Sequence, residues 1–172
     1  MKRHNLYTID EVNNLSEETK DDLRRTTWPS IKARVGRQNI RAEYLGCDNN
    51  GRLYFRTTSG TTQNKWWHQQ VEFVDMKKGI EMLNQKLTTR KKTIVQMLIN
   101  GDIRTHCDDP SYHYYCKYVA WKNGYGLQQE LRVPKVRNVS QQHLQCKHLI
   151  AVFDLMPFIA DRVLTDYNRK KV

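Results

Sequence analysis

The chain has 172 residues, 38% of them hydrophobic, and a formal net charge of +11. That is enough for one domain with its own core, and four Trp and nine Tyr exclude a disordered chain. No apolar run is long enough to span a bilayer and no apolar signal region follows Met1-Lys2-Arg3-His4-Asn5, so the expectation is a protein made in a cytoplasm, used there or carried out inside a particle, with no membrane partner.

In chain order, residues 1–30 read as a helical arm. Asp10 to Arg25 has acidic residues at its start and Arg24-Arg25 at its end, as the helix dipole favours, and Trp28-Pro29 breaks it. Residues 31–78 read as an antiparallel β-meander of three or four strands. Ile31 to Leu45 alternates apolar and polar residues, and Asp48-Asn49-Asn50-Gly51 is a turn signal. Cys47, just before that turn, reads as a small apolar residue. Leu53 to Thr57 is the next strand, Ser59-Gly60-Thr61-Thr62 a turn, and Trp66 to Val74 a strand with Trp67, Gln69, Val71 and Phe73 on one face.

Residues 79–172 read as mainly helical. Gly79 to Leu87 and Lys91 to Asn100 are predicted helices, the second stopped by Gly101. Ile103 to Cys107 is a short strand. Pro110 to Gly124 is an aromatic-rich helix capped by Asp108 or Asp109 and ended by Gly124 and Gly126. Gln128 to Gln142 is a loop. A last helix opens at Gln145 or Cys146, with Leu149, Val152, Phe153, Met156, Ala160, Val163, Leu164 and Tyr167 as its apolar stripe and Pro157 as a bend. The fold class expected is α+β.

Four cysteines in a chain with no secretion signal suggest metal ligands or free thiols before a disulfide framework. Cys146 and His148 stand two residues apart at the mouth of a helix, where a thiolate and an imidazole can face one ion. Cys107 adds a third donor of the type zinc accepts, and a fourth must come from nearby.

The order strand, Cys107, long insertion, then Cys146-Lys147-His148-Leu149-Ile150-Ala151-Val152 resembles the SWIM-type zinc finger, whose pattern is Cys-x-Cys, an insertion, then Cys-x-His opening a helix. The first half departs from that pattern, because Asp109 stands where the family has its second Cys. Three alternatives follow. Asp109 is the fourth ligand; Cys116, His113 or His106 supplies it; or the metal is lost and packing, or a disulfide from Cys107 or Cys116 to Cys146, closes the site. The segment from Ile103 to Leu155, less than a third of the chain, also resembles SWIM-like proteins of large tailed bacteriophages: Asp109-Pro110-Ser111-Tyr112, the aromatic helix, Pro134-Lys135-Val136-Arg137-Asn138 and Cys146-Lys147-His148-Leu149 carry the likeness. The resemblance implies a virion component of the head, neck or head-to-tail region. It implies several copies in a symmetric assembly, with portal, capsid or neck proteins as partners and packaged DNA as a further one.

On this reading a zinc-clamped loop presents Lys122, Arg132, Lys135 and Arg137 to a neighbour, a surface whose aromatic and Arg content suits assembly. A second reading is a zinc-dependent nucleic-acid-binding module, with Lys32, Arg34, Arg37 and Arg41 as a basic strand and Trp66 or Trp67 stacking on bases. The plainer alternatives are solvated charges and a local aromatic core. No enzyme is expected: there is no nucleophile elbow, phosphate loop or His-Glu-x-x-His motif, and Asp108 and Asp109, as neighbours in a turn, point apart.

Overall fold

A computed structural model describes residues 40–74, 76, 98, 101–133, 135 and 145–169. The predicted helices at 10–25, 79–87 and 91–100 (Leu98 apart), the strand residues 31–39 and the candidates Lys32, Arg34, Arg37 and Arg137 lie outside them.

Four strands, β1 (Ala42–Cys47), β2 (Arg52–Thr58), β3 (Trp66–Phe73) and β4 (Ile103–Cys107), form one antiparallel sheet in chain order. The expected meander is therefore present. Its fourth strand is the short strand expected at Ile103–Cys107, and it pairs with β3, so 31–78 and 79–172 share a sheet. Among the described residues, three helices follow: α1 (Lys117–Lys122), α2 (Lys147–Leu155) and α3 (Ala160–Arg169). The α+β class holds.

The turns form for local reasons. Asp48 Oδ1 accepts the N–H groups of Asn50 at 2.8 Å and Arg52 at 3.0 Å, closing the β1–β2 hairpin. Gly51 sits there at φ +86°, and a Cβ on it would stand 2.8 Å from Met76 Cβ. One bulge between Tyr44 and Gly46 turns Leu45 outward.

Period-2 alternation puts Leu53, Phe55, Val71, Phe73 and Ile103 on one face, all buried. Across that face lies α2, touching all four strands with Leu149, Val152 and Phe153, while α3 packs on β1. Each such side chain removed from water is worth about 1.5–3 kcal/mol, so this layer is where the fold is held. Pro157 splits the last helical stripe as expected: Met156–Phe158 is a 3₁₀ turn between α2 and α3. The stripe stays in register, with Met156, Ala160, Val163 and Tyr167 buried.

The aromatic helix differs from its predicted form. It opens with a π turn, Tyr112–Cys116, in which the Lys117 N–H reaches back to the Tyr112 carbonyl. Asp108 is not its cap, since Oδ1 accepts the His68 N–H at 2.7 Å and so serves β3. The Asp109 carbonyl accepts the N–H of Tyr112 at 2.9 Å. Gly124, at φ +84°, ends α1. Tyr125 and Gly126 then both donate to the Ala120 carbonyl, and the chain runs on beside β4, where Thr105 N–H donates to Tyr125 O at 2.7 Å and Leu127 N–H to Thr105 O at 3.0 Å.

Candidate metal centre

The last residue of β4 is Cys107, on the sheet face that α2 covers. Cys146, in extended conformation (φ −85°, ψ 157°), is the N-cap of α2, and His148 lies in its first turn. Laying α2 across β4 thus brings three donors together from positions far apart in sequence. One ligand atom from each of Cys107, Cys146 and His148 lies within 4.8 Å of the other two. The group is buried, with residues 0%, 4% and 1% exposed in that order, and it could hold a metal ion.

The surroundings suit such an ion. Cys107 Sγ accepts two N–H groups at 3.5 Å, from Gln69 Nε2 and from the Asp109 backbone. Donors of this kind stabilise a thiolate. Cys146 sits at the N-terminal end of α2. Burial pushes the Cys107 thiol well up, and the neighbouring Cys146 adds to this while His148 opposes it. A dication held there would favour the thiolate over the thiol. Neither ring nitrogen of His148 has a hydrogen-bond partner, although the residue is buried. Burial alone would lower the His148 pKa, but Asp109 and Cys107 outweigh it and raise it.

Asp109 borders the group without being one of the three. Its Oδ2 lies 3.2 Å from His148 Nδ1, yet neither atom is aligned for a hydrogen bond, and Oδ2 has no other partner. Burial would raise the Asp109 carboxyl, but His148 and Ser111 reverse this and hold it below the ordinary value. Cys116 is buried in the π turn, and burial, with Cys107 and Asp109 nearby, pushes its thiol up, but it is outside the group of three. His106 and His113 pack edge to face with each other at 5.8 Å, and neither belongs to the group. None of the four cysteines is in a disulfide.

Sequence reasoning had placed Gln69 on the inward face without giving it a role, and a polar residue at a core-facing position was the available signal. Besides the sulfur, Gln69 Nε2 donates to Thr57 Oγ1 at 2.9 Å. Trp67, on the same face, closes over His148 with ring centroids 6.3 Å apart, and Lys65 Nζ stands 4.0 Å above the indole. Trp66 points to the opposite face under Arg56, 4.4 Å from its ring centre. The two tryptophans therefore do not form one stacking platform.

The outward candidates are spread out. Arg41 pairs with Glu43 at 2.9 Å, and Arg56 shares that carboxylate. Arg132 grips Glu130 through two side-chain N–H groups at 2.9 and 2.8 Å. Lys122 and Lys135 are exposed. Among the described residues, no helix is long and apolar enough to cross a membrane.

No protein-family model, curated protein or solved structure matches this chain.

Proposed function

We propose that Cys107, Cys146 and His148 hold a zinc ion that staples β4 to the start of α2, and that the protein is a non-enzymatic virion structural or assembly component of a tailed phage. The convergence of three buried donors of zinc-binding type, with both His148 nitrogens otherwise unpartnered, supports the staple. Their burial supports a structural rather than a catalytic role, because a substrate would need to reach the ion. When bound, the ion supplies a dication that neutralises two thiolates. The chain's own part is to aim them: Gln69 and the Asp109 amide fix Cys107, and the first turn of α2 fixes Cys146 and His148.

The virion placement rests on the likeness of Ile103 to Leu155 to phage SWIM-like proteins. Exposed Tyr114, Leu131 and Val133 near Arg132 suit a protein-contact surface on the stapled loop. The test is metal content by mass spectrometry with thiol titration on the same sample. One zinc per chain is expected; no metal with four free thiols overturns the staple.

A second reading, nucleic-acid contact, is favoured by the outer sheet face. There two arginines share each carboxylate, Arg41 and Arg56 on Glu43, and Arg52 and Arg104 on Glu72, leaving positive charge in excess. Binding to duplex or single-stranded DNA that weakens steeply with salt would support it.

A further inference from the structure

We infer that the outer sheet face binds single-stranded nucleic acid by stacking, with Arg56 over Trp66 as the platform for a base. This rests on the nucleic-acid reading above and names the ligand class and the mode of contact. Arg56 is fixed from two sides. Its Nε and one Nη both meet Glu43 Oε2 at 2.7 Å, and its guanidinium carbon lies 4.4 Å from the Trp66 ring centre. Glu43 is the register partner of Arg56 on β1, so the sheet itself sets this pairing. The Arg56 side chain is still 42% exposed, which leaves the guanidinium open to a ligand.

The hydrogen-bonding edge decides between two ways of meeting a nucleic acid. An arginine that clamps a phosphate uses the paired N–H groups of that edge. In Arg56 the pair is taken by Glu43. In Arg52 it is taken by Glu72, at 3.2 and 2.7 Å. What each still offers is its plane, and bases stack on guanidinium planes as they do on aromatic rings. Tyr54 stands between the two arginines on the same face of β2. Alternate residues on a strand are about 7 Å apart, roughly twice the 3.4 Å step of bases along a duplex strand. Bases meeting this row must be splayed apart, which a single strand allows and a duplex does not. The charge suits a nucleic-acid backbone beside the row. Arg41, 74% exposed, and Arg104 share the carboxylates that hold Arg56 and Arg52, so four arginines stand against two glutamates in these pairs.

The experiment is fluorescence anisotropy of the full chain with labelled oligomers of about twelve nucleotides. The probes are a thymine oligomer, an abasic oligomer of the same length and charge, and a duplex. Wild type is expected to bind the thymine oligomer about 5–150-fold more tightly than the abasic one, the range for a stacked base, and more tightly than the duplex. Arg56→Lys keeps the charge and lacks the plane. It should lose most of that preference and bind the abasic oligomer as wild type does. Equal binding of the thymine and abasic oligomers by wild type, tighter binding of the duplex, or an undiminished preference in Arg56→Lys overturns the stacking and leaves contact through charge alone. No binding of any oligomer overturns both this inference and the nucleic-acid reading. The first comparison uses wild type only, so it decides the matter even if Arg56→Lys fails to fold. A uracil RNA oligomer in parallel tells which sugar the face accepts, and base-dependent binding of either supports the inference.

Discussion

Gln69 and Cys107 face each other across β3 and β4, and the amide of one donates to the sulfur of the other at 3.5 Å. A glutamine at a core-facing strand position costs desolvation unless its amide is used. Here the amide nitrogen is used twice, on Cys107 and on Thr57, while Oε1 stays buried without a partner. Replacing it with Leu of similar volume should cost about 1–3 kcal/mol and weaken metal binding about 10–100-fold. Urea unfolding and competition against a chromophoric chelator measure the two effects. Unchanged affinity in a folded Gln69→Leu protein would remove Gln69 from the site.

The staple should show in thermal unfolding. Zinc at 1,000 times its dissociation constant adds about 4 kcal/mol, or about 10 °C in a domain of this size. A strong chelator is expected to lower the wild-type midpoint by that order. His148→Ala should start at the lower midpoint and respond little to the chelator. Equal responses from both proteins would sever His148 from the metal.

Glu130 gives an acid-dependent contribution. The side-chain bonds from Arg132 outweigh the cost of burial and hold its carboxyl at about 2, against an ordinary 4.5. The folded state therefore binds this proton less readily than the unfolded chain. Its stabilisation is fully present above pH 4.5 and is lost as the pH falls toward 2. Glu130→Gln should abolish that part of the pH dependence and leave Lys117, 3.9 Å from the carboxylate, without this partner. Denaturant melts of both proteins at several pH values between 2 and 5 give the comparison.

Gly126 tolerates no side chain. A Cβ there would stand 2.7 Å from the Trp121 backbone nitrogen and 3.0 Å from the Ala120 carbonyl carbon. Both neighbours are main chain, so neither can swing aside. Gly126→Ala should cost more than about 2 kcal/mol and speed hydrogen exchange at the Thr105 amide, which bonds Tyr125. Wild-type exchange at Thr105 in the variant would contradict this.

Much of this was legible in the sequence. Alternation in Trp67 to Phe73 and the turn at Asp48 to Gly51 gave the meander, because both signals are local. Cys107, Cys146 and His148 were legible because donor type and helix position survive without coordinates. What escaped depends on register and on three-dimensional approach. Gln69 meets Cys107 only because β3 and β4 pair as they do. Asp108 looked like a helix cap by its position two residues before Pro110, yet β3 claims it through the His68 amide. Pairs such as Arg52 with Glu72 join residues on different strands, and no spacing rule announces them. The π turn left no residue signature that helix propensity reads.

The bridge between Thr105 and Gly126 has a consequence for self-association. Unpaired strand edges invite other chains to add strands, and proteins guard them by covering, charging or shortening them. At the middle of β4 the outward-facing N–H and C=O groups of Thr105 are already taken by Tyr125 and Leu127. A second molecule cannot extend the sheet there without first displacing this segment, which Gly126 locks onto the end of α1. This edge of the sheet is thereby kept from polymerising through its own backbone.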